Sequence, residues 1–455
     1  MTGPVRRRKG SGVQREEGAW GLRVAALRYR FKESLFLFPA VVMLAGIALA
    51  IGATAVDRAL GHHADVPLTL AMSSNAATWL LSTVAGAMIT TVGVVFSLTV
   101  VSLQLASDQF SPRVMRSFIR DRLSQAVIGL LVATFFYCVL VLPSLSGEPT
   151  EPAPRISLTI AVVLTLVTVV GIIVHLDHLA RGLQVGNVAR VIAAEGRTVV
   201  AALNRVPSGL QAVEPKDFHA PGDAAVIPCR MSGWVSQVDS GQLLGAVPAG
   251  TTVRMETRVG AYIHAGEALF TVWPAPPERS REKLAGAIQI ADARTMLQDV
   301  DFAIRQLVDI GLRALSPAIN DPTTAVEVIL RLGSLLRAVL TAPLAAEALK
   351  DEAGRVLLQP WNLDHAEYVD HAFDQLRQTS LDQPEVVAAL LRVLRMLIAH
   401  VRAEGHPEHT PALDRQMQLL LDAMRDRPGL HPEDLRRLQS LSSDETDPAD
   451  HSHSR

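Results

Sequence analysis

Charge is what this chain most conspicuously lacks. From Val66 to Ser107 no formally charged side chain occurs over 42 residues, and Ser34 to Val56 (23 residues), Leu123 to Gly147 (25) and Ile156 to Leu176 (21) are equally bare. A helix crosses the hydrocarbon core with about 20 apolar residues, so each run is long enough to span. Charged residues make up only 19% of the 455-residue chain, and the formal net charge of −2 gives no reason to expect nucleic acid or a polyanionic substrate. Cysteine is nearly absent. Cys138 sits in an apolar run and Cys229 in a polar region, which argues against a disulfide and against an oxidising compartment. The first apolar run starts late, is long and lacks a small-residue cleavage site, so it reads as a span and not as a cleaved signal.

What is present sets the topology. Residues 1–33 hold nine Lys and Arg side chains and residues 106–124 hold four (Arg113, Arg116, Arg120, Arg122), against one each in 57–75 and 148–155. Basic connections stay on the cytoplasmic side. The expectation is an integral membrane protein with both termini cytoplasmic and spans near 34–56, 76–107, 123–147 and 156–176. Residues 66–75 read as an external approach to the second span. A helix over 76–107 would be about 48 Å long, more than the roughly 30 Å core. No acidic or basic residue falls within these spans, which argues against a proton-coupled carrier with an intramembrane carboxylate.

The long run is sided. Ser82, Gly86, Thr90, Gly93, Ser97, Gln104 and Asp108 recur at steps of three, four or seven, one stripe of small and polar groups on a helix. Lipid does not reward such a stripe, so it should face other helices or water. Both readings stand at this point: a packing seam, or the lining of a narrow path for an ion or small solute in a homo-oligomer.

Beyond residue 180 the pattern turns soluble. Residues 181–221 read as an amphipathic connector. Residues 222–275 hold short β-prone runs (AAVIPCR, GWVSQVD, TTVRMETRV, ALFTVW) divided by Gly, Pro and Asp, as in a small all-β unit. The stretch Val259 to Leu269 resembles a hairpin of the barrel-sandwich type seen in lipoyl and biotinyl carriers. Lysine is missing from Asp217 to Arg281, which excludes a covalent swinging arm. Residues 285–441 read as helical, with helices expected at 324–349, 364–379, 384–404, 411–427 and 432–441, and residues 442–455 as a polar, disordered tail.

Candidate sites are few. Asp301, Arg305, Asp309 and Arg313 form an i, i+4 ladder expected on a solvated helix face. Glu367, His371 and Asp374 share another such face. Ser316-Pro317-Ala318-Ile319-Asn320-Asp321-Pro322 reads as a helix stop and restart, with Asp321 as N-cap and Pro322 at the first helical position. His175 and His178, at i, i+3, could approach one metal, although hydrogen bonds to neighbours or water explain them as well. No phosphate loop, nucleophile elbow, zinc-protease helix or dinucleotide fingerprint occurs, so neither enzyme, cofactor nor metal is expected.

Three stretches together resemble a known family: Ser82 to Gln109, its continuation through Ser111-Pro112-Arg113 and Phe118 to Arg122, and Gln298 through Pro322. The chain is similar over about residues 25–430 to the bacterial predicted membrane proteins grouped as domain of unknown function 2254. That resemblance implies a bacterial inner-membrane protein with four N-terminal spans and a cytoplasmic remainder, and it brings no activity and no catalytic residues. Two roles follow as expectations. One is an oligomeric channel-like or solute-conducting protein with a cytoplasmic regulatory domain; the other is a membrane-anchored scaffold or regulator that binds a cytoplasmic partner.

Overall fold

The computed structural model describes residues 37–60, 69–109, 122–145, 152–182, 184–203, 205–215, 218–428 and 430–442, with side chains of the long second helix described to residue 105. The expectations for the basic N-terminus, for Ser111, Pro112 and Arg113, for the Asp108 side chain and for the polar tail beyond Ser442 lie outside those residues. The chain divides into two compact units, Met1–Gln184 and Val185–Arg455.

The first unit holds α1 (Leu37–Leu60), α2 (Ser74–Gln109), α3 (Arg122–Val141, followed by a 3-10 turn over Leu142–Ser144) and α4 (Arg155–Gly182). All four are long and apolar enough to cross a membrane. Helices α1 and α3 close on each other where side chains are missing. A Cβ on Gly46 would lie 2.7 Å from Ala133 Cβ, and one on Gly129 would lie 3.0 Å from Pro39 Cα. Without a hydrophobic force between helices in lipid, such close approach is a main source of association. Across α3 and α4 the Thr134 and Thr168 hydroxyls meet at 2.8 Å.

Residues 69–73 precede α2 in extended form and are tied to the start of α4, with Leu70 N donating to Thr159 Oγ1 (2.9 Å) and Ala153 N to Met72 O (3.1 Å).

The spans are not free of charge. Helix α1 runs on to Leu60, past the expected end at residue 56, and so carries Asp57 inside the unit, only 7% exposed. Its carboxylate accepts from Ile156 N (3.1 Å), Ser157 N (2.8 Å) and Ser157 Oγ (2.6 Å). Asp57 thus caps α4 from a neighbouring helix, supplying acceptors and a negative charge to the orphan N–H groups of that N-terminus. Asp57→Ala leaves those donors in an apolar bundle, and a cost of about 2–4 kcal/mol is expected. Asp57→Asn, which keeps an acceptor, should lose less. Unfolding titration in mixed micelles reads both, and an Asp57→Ala variant as stable as wild type would refute the cap.

The second unit begins with α5 (Val185–Leu203) and β1 (Leu210–Ala212), then β2 (Ala225–Pro228), β3 (Gly233–Val238), α6 (Ser240–Gly245), β4 (Thr252–Met255), β5 (Tyr262–Ile263), β6 (Ala268–Trp273), α7 (Glu278–Gly286) and β7 (Ile288–Ala291). It continues with α8 (Val300–Ala314), α9 (Pro322–Leu340), β8 (Ala348–Asp351), β9 (Val356–Leu358), α10 (His365–Thr379), α11 (Pro384–Ala403), α12 (Thr410–Arg425) and α13 (Pro432–Ser442). Six strands pair in the order β1-β8-β9-β4-β6-β2 and three in the order β5-β3-β7. All pairs are antiparallel except β4 with β9. Alternating apolar residues fill the space between strands and α6 and α7, including Val235, Val253, Met255, Phe270, Val272 and Leu284.

The sheet is larger than residues 222–275. Strands β8 and β9 arise inside the region read as helical, because α9 stops at Leu340 ahead of Pro343 and the following apolar run pairs with β1 and β4. The stretch Val259 to Leu269 does not pair with itself: β5 joins β3, whereas β6 joins β2 and β4. Around this sheet system, α8 is buried on nearly every side among α5, α9 and α10. Its half-exposed side chains, Arg305, Asp309, Leu312 and Arg313, share one face.

Candidate functional site

The N-terminus of α8 holds a buried ionic cluster. Asp299, the N-cap of α8, accepts from Phe302 N (3.1 Å) and is gripped by Arg294 through Nε (2.5 Å) and Nη2 (3.0 Å). Arg294 Nη2 also donates to Asp301 Oδ2 (2.8 Å), and Asp301 Oδ1 meets His371 Nδ1 on α10 at 2.7 Å. Arg294 lies over the rings of Trp234 and Phe302 at 5.8 and 5.4 Å, a cation–π packing that replaces some of its lost hydration. The two carboxylates are 4% and 2% exposed.

Burial alone would raise the Asp301 carboxyl, but hydrogen bonds from His371 and Arg294, with the guanidinium charge, outweigh it and hold Asp301 well below the usual carboxylate range. Burial pushes Asp299 upward against the pull of Arg294. Burial, reinforced by the charges of Asp299 and Asp301, raises the Tyr368 hydroxyl and keeps it a neutral donor.

Gly260 makes room for the cluster. It sits at φ +82°, and a Cβ there would collide with the Asp299 carboxylate and the Arg294 guanidinium.

Two concavities meet this cluster. A cavity of about 580 Å³ is lined by Asp299, Arg258 and Tyr368 together with apolar groups such as Val200, Leu203, Val339 and Leu344. An open cleft of about 800 Å³ is lined by His371, Arg254, Glu256, Tyr262 and Trp361. Arg258 and Leu363 belong to both. In the cleft, Glu256 is occupied by Arg254 (2.8 Å) and by the Thr271 hydroxyl.

The cavity wall has its carboxylates satisfied, whereas its arginines lack carboxylate partners among the described residues. Asp299 is held by Arg294, and Asp239 caps α6 by accepting from Gln242 N (2.9 Å). Gln298 is spent on Val238, accepting from its N–H (2.9 Å) and donating to its carbonyl (3.2 Å). By contrast Arg258 donates to the carbonyl of Val259 (3.2 Å) and, among the described residues, neither it nor Arg205 has a carboxylate partner. The buried Asn362 Nδ2 lacks an acceptor. A cavity of this size with an apolar body and a few unpaired donors has the character of a small-molecule site, and its charge favours an anion.

The residues singled out from the sequence fall in several places. Ser82, Gly86, Thr90, Gly93, Ser97 and Gln104 are all exposed on the isolated chain, while the opposite face of α2 (Ala77, Leu81, Ala85, Met88, Val95) packs inside the first unit. Nothing lies within 4 Å of a Cβ built on Gly86 or Gly93. Thr90 is satisfied within its own helix by the carbonyls of Gly86 and Ala87. His175 is buried, with Nδ1 3.4 Å from Ser124 Oγ, whereas His178 is exposed.

At the Ser316 to Pro322 turn, Asp321 caps α9 by accepting from Thr324 N (3.0 Å) and Oγ1 (2.6 Å), with Pro322 in the first turn. Ser316 Oγ donates to Arg313 O (2.7 Å), Pro317 is exposed, and Asn320, at φ +48°, accepts from Gln383 Nε2 (2.9 Å).

The two faces read as solvated are so only in part, with Glu367 exposed and Arg305, Asp309, Arg313 and Asp374 half-exposed. Asp301 is buried and not the solvated start of a ladder, because α10 lays His371 over it. Of the second set, Glu367 completes a capping box with Asp364, and Asp374 receives Gln416 Nε2 (2.8 Å), so the three side chains serve three different contacts. Arg294, Arg258 and Tyr368 were not singled out, since nothing in local spacing relates them; the cluster joins residues up to 77 positions apart, from Arg294 to His371.

Comparison with known proteins agrees with this architecture. The family model described as "Predicted membrane protein (DUF2254)" matches residues 32–396. An uncharacterized protein of Mycobacterium bovis (strain ATCC BAA-935 / AF2122/97) and one of Mycobacterium tuberculosis (strain ATCC 25618 / H37Rv) are each 30% identical over 390 residues, covering 83% of this chain and 74% of theirs. No solved structure matches. With four apolar helices ahead of a mixed helical and sheet unit, the chain belongs to the DUF2254 family of predicted membrane proteins.

Proposed function

We propose that this protein is a membrane-anchored regulator whose second unit receives a small organic anion in the cavity beside α8. The single observation that carries the reading is the imbalance of the cavity wall: among the described residues Arg258 and Arg205 have no carboxylate partner and Asn362 Nδ2 has no acceptor, while both lining carboxylates, Asp239 and Asp299, are engaged. A carboxylate or phosphate head would take the donors, and an apolar body would cover Val200, Leu203 and Leu344. The reading is one of binding and assigns no chemical step. The bias of basic residues toward 1–33 and 106–124 supports an inner-membrane location with both termini and the second unit in the cytoplasm, and the two small sheets serve there as a barrel-sandwich-like holder for the cavity.

The test uses the full chain in nanodiscs with phenyl phosphate, benzoate and benzyl alcohol as probes, followed by calorimetry. Either anion should bind and the neutral alcohol should not, and Arg258→Ala should weaken binding at least about tenfold, as expected for loss of a charge-assisted contact. Binding of the alcohol as tightly as the anions, or indifference to Arg258→Ala, would overturn the reading.

A second reading is favoured by the outward face of α2. Among the described residues its small and polar stripe meets no neighbouring helix, which supports a homo-oligomer in which that stripe meets another copy and lines or seals a path for an ion or small solute.

A further inference from the structure

The turn between α11 and α12 gathers three metal-competent donors. Helix α11 gives way to Gly405 at φ +84°, and a 3-10 turn over Pro407–His409 leads into α12. The backbone of this turn is pinned, with His406 N donating to Val401 O (2.7 Å) and His409 N to His406 O (3.2 Å). Pro407 fixes its own φ in between. On this short frame His406 Nδ1 lies 3.1 Å from Glu408 Oε1, and His409 Nε2 lies 3.5 Å from the same oxygen. All three donor atoms fall within 4.8 Å of one another.

Those spacings suit a metal. Zinc sits about 2.0–2.2 Å from imidazole nitrogen and carboxylate oxygen, so the edges of its tetrahedron are roughly 3.3 Å. A plain ion pair would explain one His–Glu contact; two imidazoles converging on one carboxylate oxygen from the same rigid turn present three corners of a coordination sphere. His365, the first residue of α10, lies against His409 with ring centroids 3.9 Å apart and planes tilted by 34°, and its Nε2 lies 3.1 Å from the carbonyl of Ala342. The turn is thereby backed by a second helix.

We propose that His406, Glu408 and His409 bind a divalent transition-metal ion of the zinc class. Glu408 is open to solvent, so a fourth position is left for water. The ligand set of two imidazoles and one carboxylate suits zinc and its neighbours in the first transition row better than magnesium or calcium, which prefer all-oxygen shells. Bound there, the ion would clamp the α11–α12 junction and stabilise the second unit against unfolding.

Zinc titration of the full chain in nanodiscs, after chelator treatment and with His451→Ala and His453→Ala in place to remove terminal histidines, tests the site. One zinc per chain should bind, the unfolding midpoint should rise with zinc, and magnesium should do neither. His406→Ala and His409→Ala should each weaken zinc binding at least about tenfold, since even loss of an outer-shell partner costs 10–100-fold. Glu408→Gln, an exposed and nearly isosteric change, guards against misfolding and should also weaken binding. The exposed His219→Ala should leave it unchanged. Zinc bound as tightly by folded His406→Ala and Glu408→Gln chains as by the parent would mean adventitious binding only and would overturn the proposal, as would the absence of binding at about 100 μM zinc.

Discussion

Asp301→Ala is expected to destabilise the second unit by roughly 3–5 kcal/mol, the cost of removing one member of a buried charge network and leaving its partners uncompensated. The partners lost are specific. Arg294, with its side chain 12% exposed, keeps Asp299 but loses the acceptor at 2.8 Å, and His371 loses its 2.7 Å contact. Against a typical domain stability of about 5–15 kcal/mol, that loss is a large fraction. Asp301→Asn retains acceptor capacity for one of the two and should cost less. Tryptophan fluorescence during denaturant unfolding follows the change, since Trp234 lies beside Arg294.

The same carboxyl carries a pH signature. Its folded value lies below the ordinary range, so its contribution is fully present above the unfolded value of about 3.9 and is lost as pH falls through the folded one. Wild type should therefore lose stability below about pH 4 along a limb that Asp301→Asn flattens. Equal acid limbs in the two proteins, or an Asp301→Ala midpoint matching wild type, would show that the network does not hold the unit.

The reach of the sequence can be judged from these residues. The four spans are legible because absence of charge over 20 or more residues is a local signal, and the cap at Asp321 is legible because Asn, Asp and Pro meet there in order. Asp57 stands just past an apolar run, and only its neighbours in space show that it belongs to the helix.

In the Asp301 to Arg313 ladder, Arg305, Asp309 and Arg313 lie on a half-exposed face, and only Asp301 is covered, by His371 from α10. Strands β8 and β9 are three or four residues long and take their form from β1 and β4, distant in sequence. The cavity is assembled from separate segments between Val200 and Tyr368, and no local pattern encodes it.

Replacement of glycine by leucine should separate the two roles of small residues in the first unit. Gly46→Leu and Gly129→Leu place a side chain where backbone and Cβ atoms already lie 2.7–3.0 Å from the new Cβ. Helices α1 and α3 cannot keep their spacing, and overpacking of this kind costs about 1–3 kcal/mol per site, so the double variant should lose roughly 2–6 kcal/mol if the sites act independently. Gly93→Leu and Gly86→Leu meet open space and should leave protomer stability within about 0.5 kcal/mol of wild type.

Particle mass in nanodiscs then reads the other half. If the outward stripe is where copies meet, Gly93→Leu lowers the subunit number while the protomer melts normally, because leucine prevents the close helix approach that glycine permits. A Gly93→Leu protein with unchanged mass would remove the stripe as an oligomer contact. A Gly46→Leu/Gly129→Leu protein with unchanged stability would remove the α1–α3 seam as the element that holds the first unit together.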